Sequence, residues 1–224
     1  MRIPRDEKFE NWLVRPRMVG ADYHFLLGRA WLKYGEPSKL HTPLVYATFE
    51  FRCAIERVAF EVLILFKKRK LDEEALKCSR DFKNLLSLLS KLEGKQGVIY
   101  KKSRFIQIIC ELGNAPFSPA LINLKELDKY WRDCSEFCHK HLSPRDTWEN
   151  PLYIQQGYKK LEKIDSYFEN KLIKHRLVWI SELPPEVNDL QQEFINGKVT
   201  EKQVIFRLKL MEPVLKQRMF GGNL

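Results

Sequence analysis

Residues 42–66 run TPLVYATFEFRCAIERVAFEVLILF. Thr42 can offer its hydroxyl to the free N–H groups of a helix start. Pro43 follows in the first turn, where a missing N–H costs nothing. No glycine or proline interrupts the next 23 residues, and Lys67, Lys68, Arg69 and Lys70 stand where a helix dipole is negative. The stretch therefore predicts a helix over 44–66. The same period recurs outward in both directions. Upstream, a helix is expected over 19–33, ending before Gly35, Glu36 and Pro37. Downstream, a helix over 72–93 carries Leu85, Leu86, Leu88, Leu89 and Leu92 as its apolar stripe, with Gly94 as the stop.

Residues 97–112 are ambiguous. Val98, Ile99 and Tyr100, and then Phe105 to Ile109, suit a β-strand or a short buried helix. No partner strand is legible elsewhere, so helix is favoured. Further helices are expected over 119–142, 152–179, 186–195 and 200–211. Pro184 and Pro185 break the chain before the last two, Asn196 and Gly197 separate them, and Thr200 is a plausible N-cap. The expected fold is all-α. A bundle of about five or six helices occupies residues 1–183, and a smaller helical appendage occupies 184–224.

The 224 residues include 39 Lys+Arg against 29 Asp+Glu, a net charge of +10. Such an excess favours polyanions as partners, RNA or DNA first and an anionic membrane surface second. The longest apolar run, residues 62–66, is far short of the ~18–20 residues that span a bilayer. The opening residues 1–8 are charged with no apolar core behind them, so no signal peptide is expected. Five cysteines, an odd number with no Cys-x-x-Cys pair, then read as reduced thiols of a cytoplasmic protein. No phosphate loop, dinucleotide fingerprint, His-Glu-x-x-His or Gly-x-Ser-x-Gly occurs, which removes most nucleotide-driven and zinc-peptidase readings. No cofactor is expected.

Chemistry concentrates between Tyr130 and His141. On a helix, Arg132 and His139 lie within about 20° of each other and roughly 10.5 Å apart along the axis. Ser135 and Glu136 fall between them, giving a polar stripe of four. Leu127, Tyr130, Trp131, Cys134, Phe137, Cys138 and Leu142 are expected on the core side. Histidine titrates near neutrality and can move the proton of a 2′-OH or of a leaving 5′-oxygen. Arginine offers a planar fork to a phosphate whose charge grows in the transition state. Metal-independent RNA cleavage needs that pair.

Arg132, the polar Asp133 beside it and His139 after six intervening residues resemble the motif of the HEPN superfamily, and residues 46–61 look like the long early helix common in such proteins. The resemblance spans about 44–142. It implies an all-α bundle that pairs into a homodimer, so that two motifs face one composite cleft. It further implies endoribonuclease activity in a toxin–antitoxin, antiviral or stress system, with an antitoxin or regulatory protein as a possible partner. His139 would be the general acid/base and Arg132 the phosphate clamp, with Asp133 orienting one of them and Ser135 lining the site. Lys101, Lys102, Arg104 and Lys140 would supply RNA-binding charge. Other members keep only the bundle and act as non-catalytic interaction modules.

Competing patterns are weaker. Arg17 and His24 share the same spacing, but Met18 follows the arginine and Gly20 interrupts the interval. Cys134, Cys138 and His141 have zinc-ligand spacing, on the apolar face where core thiols are the plainer reading. Glu50, Arg57 and Glu61 share a helix face and suggest an ion-pair ladder. Trp131, Trp148, Trp179, Tyr153 and Tyr158 are expected in the core. The last two helices have helix-turn-helix proportions, with Lys198, Lys202, Arg207 and Lys209 available to DNA, although a two-helix cap is the simpler expectation.

Overall fold

The computed structural model describes residues 20–67, 71–115, 118–140, 150–173 and 183–211, without the side chains of residues 139, 140, 172 and 173. Among the described residues every regular element is helical: α1 (Ala21–Gly35), α2 (His41–Phe66), α3 (Glu73–Cys78), α4 (Phe82–Glu93), α5 (Val98–Leu112), α6 (Leu124–Lys140), α7 (Pro151–Phe168), α8 (Pro185–Ile195) and α9 (Glu201–Leu210). A π-helical turn, Glu169–Ile173, extends α7. No helix among them is long and apolar enough to cross a membrane.

The expected all-α class is what the chain adopts, with local differences. Leu40 precedes α2, and no side chain caps its start, so Thr42 lies inside the first turn. The single helix expected over 72–93 is two. Asp72 caps α3 by accepting from the Ala75 N–H, and Ser79 donates its hydroxyl to the Leu76 carbonyl. Asp81 then accepts from the Asn84 N–H at 2.9 Å and starts α4 afresh. Short polar side chains that bond nearby backbone compete with helix continuation, and two within three residues are enough to break it here. Residues 98–112 are helical. Before them, Gly94 and Gly97 turn the chain with φ of +56° and +67°, and the Glu93 carboxylate accepts from the N–H groups of Ile99 (2.5 Å) and Tyr100 (3.4 Å).

Two compact units form. The first contains the described residues up to 86 together with 124–170. Its centre is α2, which buries Leu44, Ala47, Phe51, Ala54, Ile55 and Val58 against α1, α6 and α7. Phe51 lies 6.1 Å from the Phe25 ring of α1 and 6.3 Å from Phe168 of α7, with Phe25 and Phe168 5.3 Å apart. Tyr158 is fully buried as expected, and its hydroxyl donates to the Leu40 carbonyl at 2.6 Å. Trp131 and Tyr153 are half-buried, while Trp148 and Trp179 lie outside the described residues. Arg29 of α1 bonds Asp165 at 2.7 Å and Glu169 at 2.6 Å, tying α1 to the end of α7.

The second unit contains 87–123 and the described residues after 170. Phe105, Ile106, Ile108 and Ile109 of α5 pack with Val187 and Leu190 of α8 and Val204 and Leu208 of α9. The division therefore differs from the one expected at 183/184. The β-branched face of α5 goes to the C-terminal helices, which also explains how so strand-like a segment is held helical: tertiary burial outweighs a propensity difference of under ~1 kcal/mol per residue. A two-residue-sided capping box at Thr200 and Gln203 starts α9.

Helix contact in the first unit depends on close approach. A Cβ added at Gly28 would lie 2.8 Å from the Phe51 ring, and one at Gly157 would lie 2.7 Å from the Leu44 side chain. Gly28→Val is expected to destabilise by about 1–3 kcal/mol through overpacking. Thermal melts read by circular dichroism check it, and an unchanged midpoint would show that the α1–α2 contact is loose.

Candidate functional site

α6 carries the Arg/His motif. Leu127, Cys134 and Phe137 are buried and orient the helix, as the apolar stripe predicts. Arg132 then points outward with 70% of its side chain exposed, paired with Asp128 one turn back. Glu136, one turn ahead on the same stripe, is engaged elsewhere. Lys160 of α7 reaches both Asp133 and Glu136, each at 3.1 Å, with its ammonium 5.3 Å over the Phe137 ring. Burial alone would lower the Lys160 pKa, but the two carboxylates outweigh it and hold the amine above its ordinary value. Asp133 therefore braces α6 against α7 and does not orient Arg132.

Ser135 also departs from expectation. The spacing puts it on the solvated stripe, yet it is only 8% exposed, and among the described residues its hydroxyl oxygen has no hydrogen-bond partner. Position 135 lies one turn beyond Trp131, which is itself half-buried, and so falls toward a covered flank of α6. A 3.6-residue period leaves positions at the edge of a stripe undetermined when only one helix is considered. His139 and Lys140 occupy the last turn of α6, and their side chains lie outside the described residues, as does His141.

Beside this face lies a cluster the sequence did not announce. Arg52 of α2 bonds Glu56 at 3.0 Å, Glu56 accepts from the Trp131 indole N–H at 2.8 Å, and the Arg52 guanidinium sits 5.1 Å over the Trp131 ring. Phe82 stacks on Trp131 at 4.8 Å. Three thiols border the cluster. Burial pushes Cys53 up to about 11 and raises Cys134 and Cys138 above the ordinary thiol value. Protonated thiols are poor nucleophiles and poor metal ligands. Among the described residues no group of three or more His, Cys, Asp or Glu is placed to hold a metal.

The supposed ion-pair ladder on α2 is split. Arg57 bonds Glu61 at 3.2 Å, but Glu50 turns to α1 and meets His24 Nδ1 at 2.7 Å. His24 thus has a carboxylate partner 26 residues away, which no local spacing reveals.

The expected RNA-binding cations are mostly committed within their own unit. Lys101 donates to the Ile195 carbonyl at the end of α8 (2.8 Å). Arg104 bonds Gln107 (2.6 Å), Glu111 (3.0 Å) and Glu201 (2.5 Å), and so fastens α5 to α9. Lys102 is half-buried on the same helix. Arg207 pairs with Glu193, linking α9 to α8.

The hydrogen bond from Arg104 holds Glu201 below its ordinary value of 4.5. A depressed carboxylate contributes stability that is present above the unfolded pKa and lost as pH falls through the folded one. The thermal midpoints of wild type and Glu201→Gln should therefore differ at pH 7 and converge as pH falls below about 4.5. A gap that persists at pH 3 would show that the carboxylate's charge is irrelevant. Comparison of the chain with protein-family models, curated proteins and solved structures finds no match.

Proposed function

We propose that the chain is a HEPN-like, metal-independent endoribonuclease in which Arg132 clamps the scissile phosphate and His139 moves the protons. One observation carries the reading. Arg132 leaves α6 with most of its side chain in solvent and, among the described residues, with only Asp128 of its own helix against it. An arginine held so loosely in a +10 chain is available to a phosphate, and exchanging a surface carboxylate for it costs less than about 1 kcal/mol. His139 takes the 2′-OH proton, the 2′-oxygen attacks phosphorus, and the 5′-oxygen leaves with a proton, so that a 2′,3′-cyclic phosphate remains. Asp133 faces Lys160 and Ser135 is buried, so the reading rests on Arg132 and His139. The resemblance supports a homodimeric composite site in the cytoplasm and a role in toxin–antitoxin, antiviral or stress systems.

A second reading has its own support. Lys101, Arg104 and Lys160 are spent on internal ties, which leaves less charge for RNA and suits a non-catalytic helical module that regulates or neutralises a protein partner. Labelled RNA incubated with purified protein in EDTA separates the two. Nuclease activity is expected to survive chelation, to leave cyclic-phosphate ends, and to fall at least about 100-fold in Arg132→Ala and in His139→Ala with helicity unchanged. No cleavage by wild type, or equal cleavage by the folded variants, would favour the module.

A further inference from the structure

α4 turns an unbalanced row of cations to solvent. Residues 75–97 hold Lys77, Arg80, Lys83, Lys91 and Lys95 against two carboxylates, Asp81 and Glu93. Both carboxylates serve the backbone: Asp81 accepts from the Asn84 N–H, and Glu93 from those of Ile99 and Tyr100. The five cations are all exposed, and among the described residues none of their side chains makes an ion pair or a hydrogen bond. On α4 itself Phe82, Leu85, Leu88 and Leu89 are buried. That sends Lys83, Asn84, Ser87, Ser90 and Lys91 to the opposite side, within an arc of about 120°. Lys83 and Lys91 stand roughly 12 Å apart along the axis with Ser87 between them. Arg80 leads into the row and Lys95 follows it.

Composition decides what such a face can meet. Lysines on other helices alternate with acids: Lys125 and Lys129 of α6 with Glu126 and Asp128, Lys159 and Lys163 of α7 with Glu162. No carboxylate stands between Lys83 and Lys91, so the field of the α4 face keeps one sign. Lysine and serine are depleted at protein–protein interfaces. Lysine, serine and asparagine side chains are, by contrast, the donors that phosphate oxygens accept from. The face has no apolar residue to enter a bilayer surface and no ring on which a base could stack. What remains is contact with a sugar–phosphate backbone, which fixes position without reading sequence. The cations expected to do that work on α5, Lys101 and Arg104, are tied within their own unit.

We infer that the solvent face of α4, with Lys83 and Lys91 on the helix and Arg80 and Lys95 at its ends, is a track for the phosphodiester backbone of RNA, independent of base sequence. The choice of RNA rests on the nuclease reading, whereas the place of the track rests on exposure and charge alone. Each lysine that meets a phosphate releases condensed counterions, so binding weakens as salt is raised.

Fluorescence anisotropy of a labelled, mixed-sequence single-stranded RNA tests it, titrated in EDTA with the full chain carrying His139→Ala so that the probe stays whole. Adding Lys83→Gln with Lys91→Gln is expected to weaken binding at least about fivefold, and to lower the slope of log affinity against log salt by about 1.4, at ~0.7 per phosphate contact. Helicity should not change, because both side chains are exposed. Lys83→Arg with Lys91→Arg should bind as the parent does, and uridine and adenosine homopolymers should lose affinity to the glutamine pair by the same factor. Lys159→Gln with Lys163→Gln, which removes equal charge from α7, should change affinity less than about twofold. No RNA binding by the parent, an equal loss in the two glutamine pairs, an unchanged salt slope, or binding to phosphatidylserine vesicles in place of RNA would each overturn the inference. Cleavage by wild type is scored separately. Cleavage with binding indifferent to the α4 substitutions removes the track and keeps the nuclease, and α4-dependent binding without cleavage removes the nuclease and keeps the track.

Discussion

The first unit depends on how closely its neighbours approach α2. Gly28 lets α1 lie against the Phe51 ring, Gly157 lets α7 lie against Leu44, and Gly35 ends α1 where any side chain would meet the Tyr158 hydroxyl and Pro43. Three missing side chains thus permit three large buried ones. Phe51, Leu44 and Tyr158 each bring ~1.5–3 kcal/mol of apolar burial, a gain that would shrink steeply with separation because dispersion falls off within an ångström of contact. The aromatic cluster of Phe25, Phe51 and Phe168 and the Arg29 tie to Asp165 and Glu169 are reached only because the helices are this close.

Most helices were legible in the sequence because their apolar positions recur at the helical period and glycine or proline punctuates their ends. What escaped was decided by competition or by distant partners. The break at Ser79 and Asp81 turns on side chains bonding nearby backbone, which composition alone does not rank against helix continuation. The allocation of α5 to the C-terminal helices turns on which apolar face finds which, a question of pairing that a periodicity cannot answer. In the site, Arg132 is displayed as its register predicts. Ser135 is buried, and Asp133 faces Lys160, because neighbouring helices decide which edge of a stripe is covered.

Net charge proves a blunt guide for the same reason. The excess of ten cations is real, but among the described residues many are tied to a carboxylate or a carbonyl. Arg29, Arg52, Arg104 and Lys160 brace helices, and Lys101 caps one.

The turn between α4 and α5 has a kinetic meaning. Glu93 bonds the Ile99 N–H only six residues ahead, through a bend whose two left-handed glycines impose little steric cost. Closing so short a loop sacrifices little chain entropy, whereas joining Arg29 to Asp165 spans 136 residues. Topology then orders the assembly. The α4–α5 corner closes a short loop at small entropic cost, whereas the union of α1 with α7 closes a far longer one.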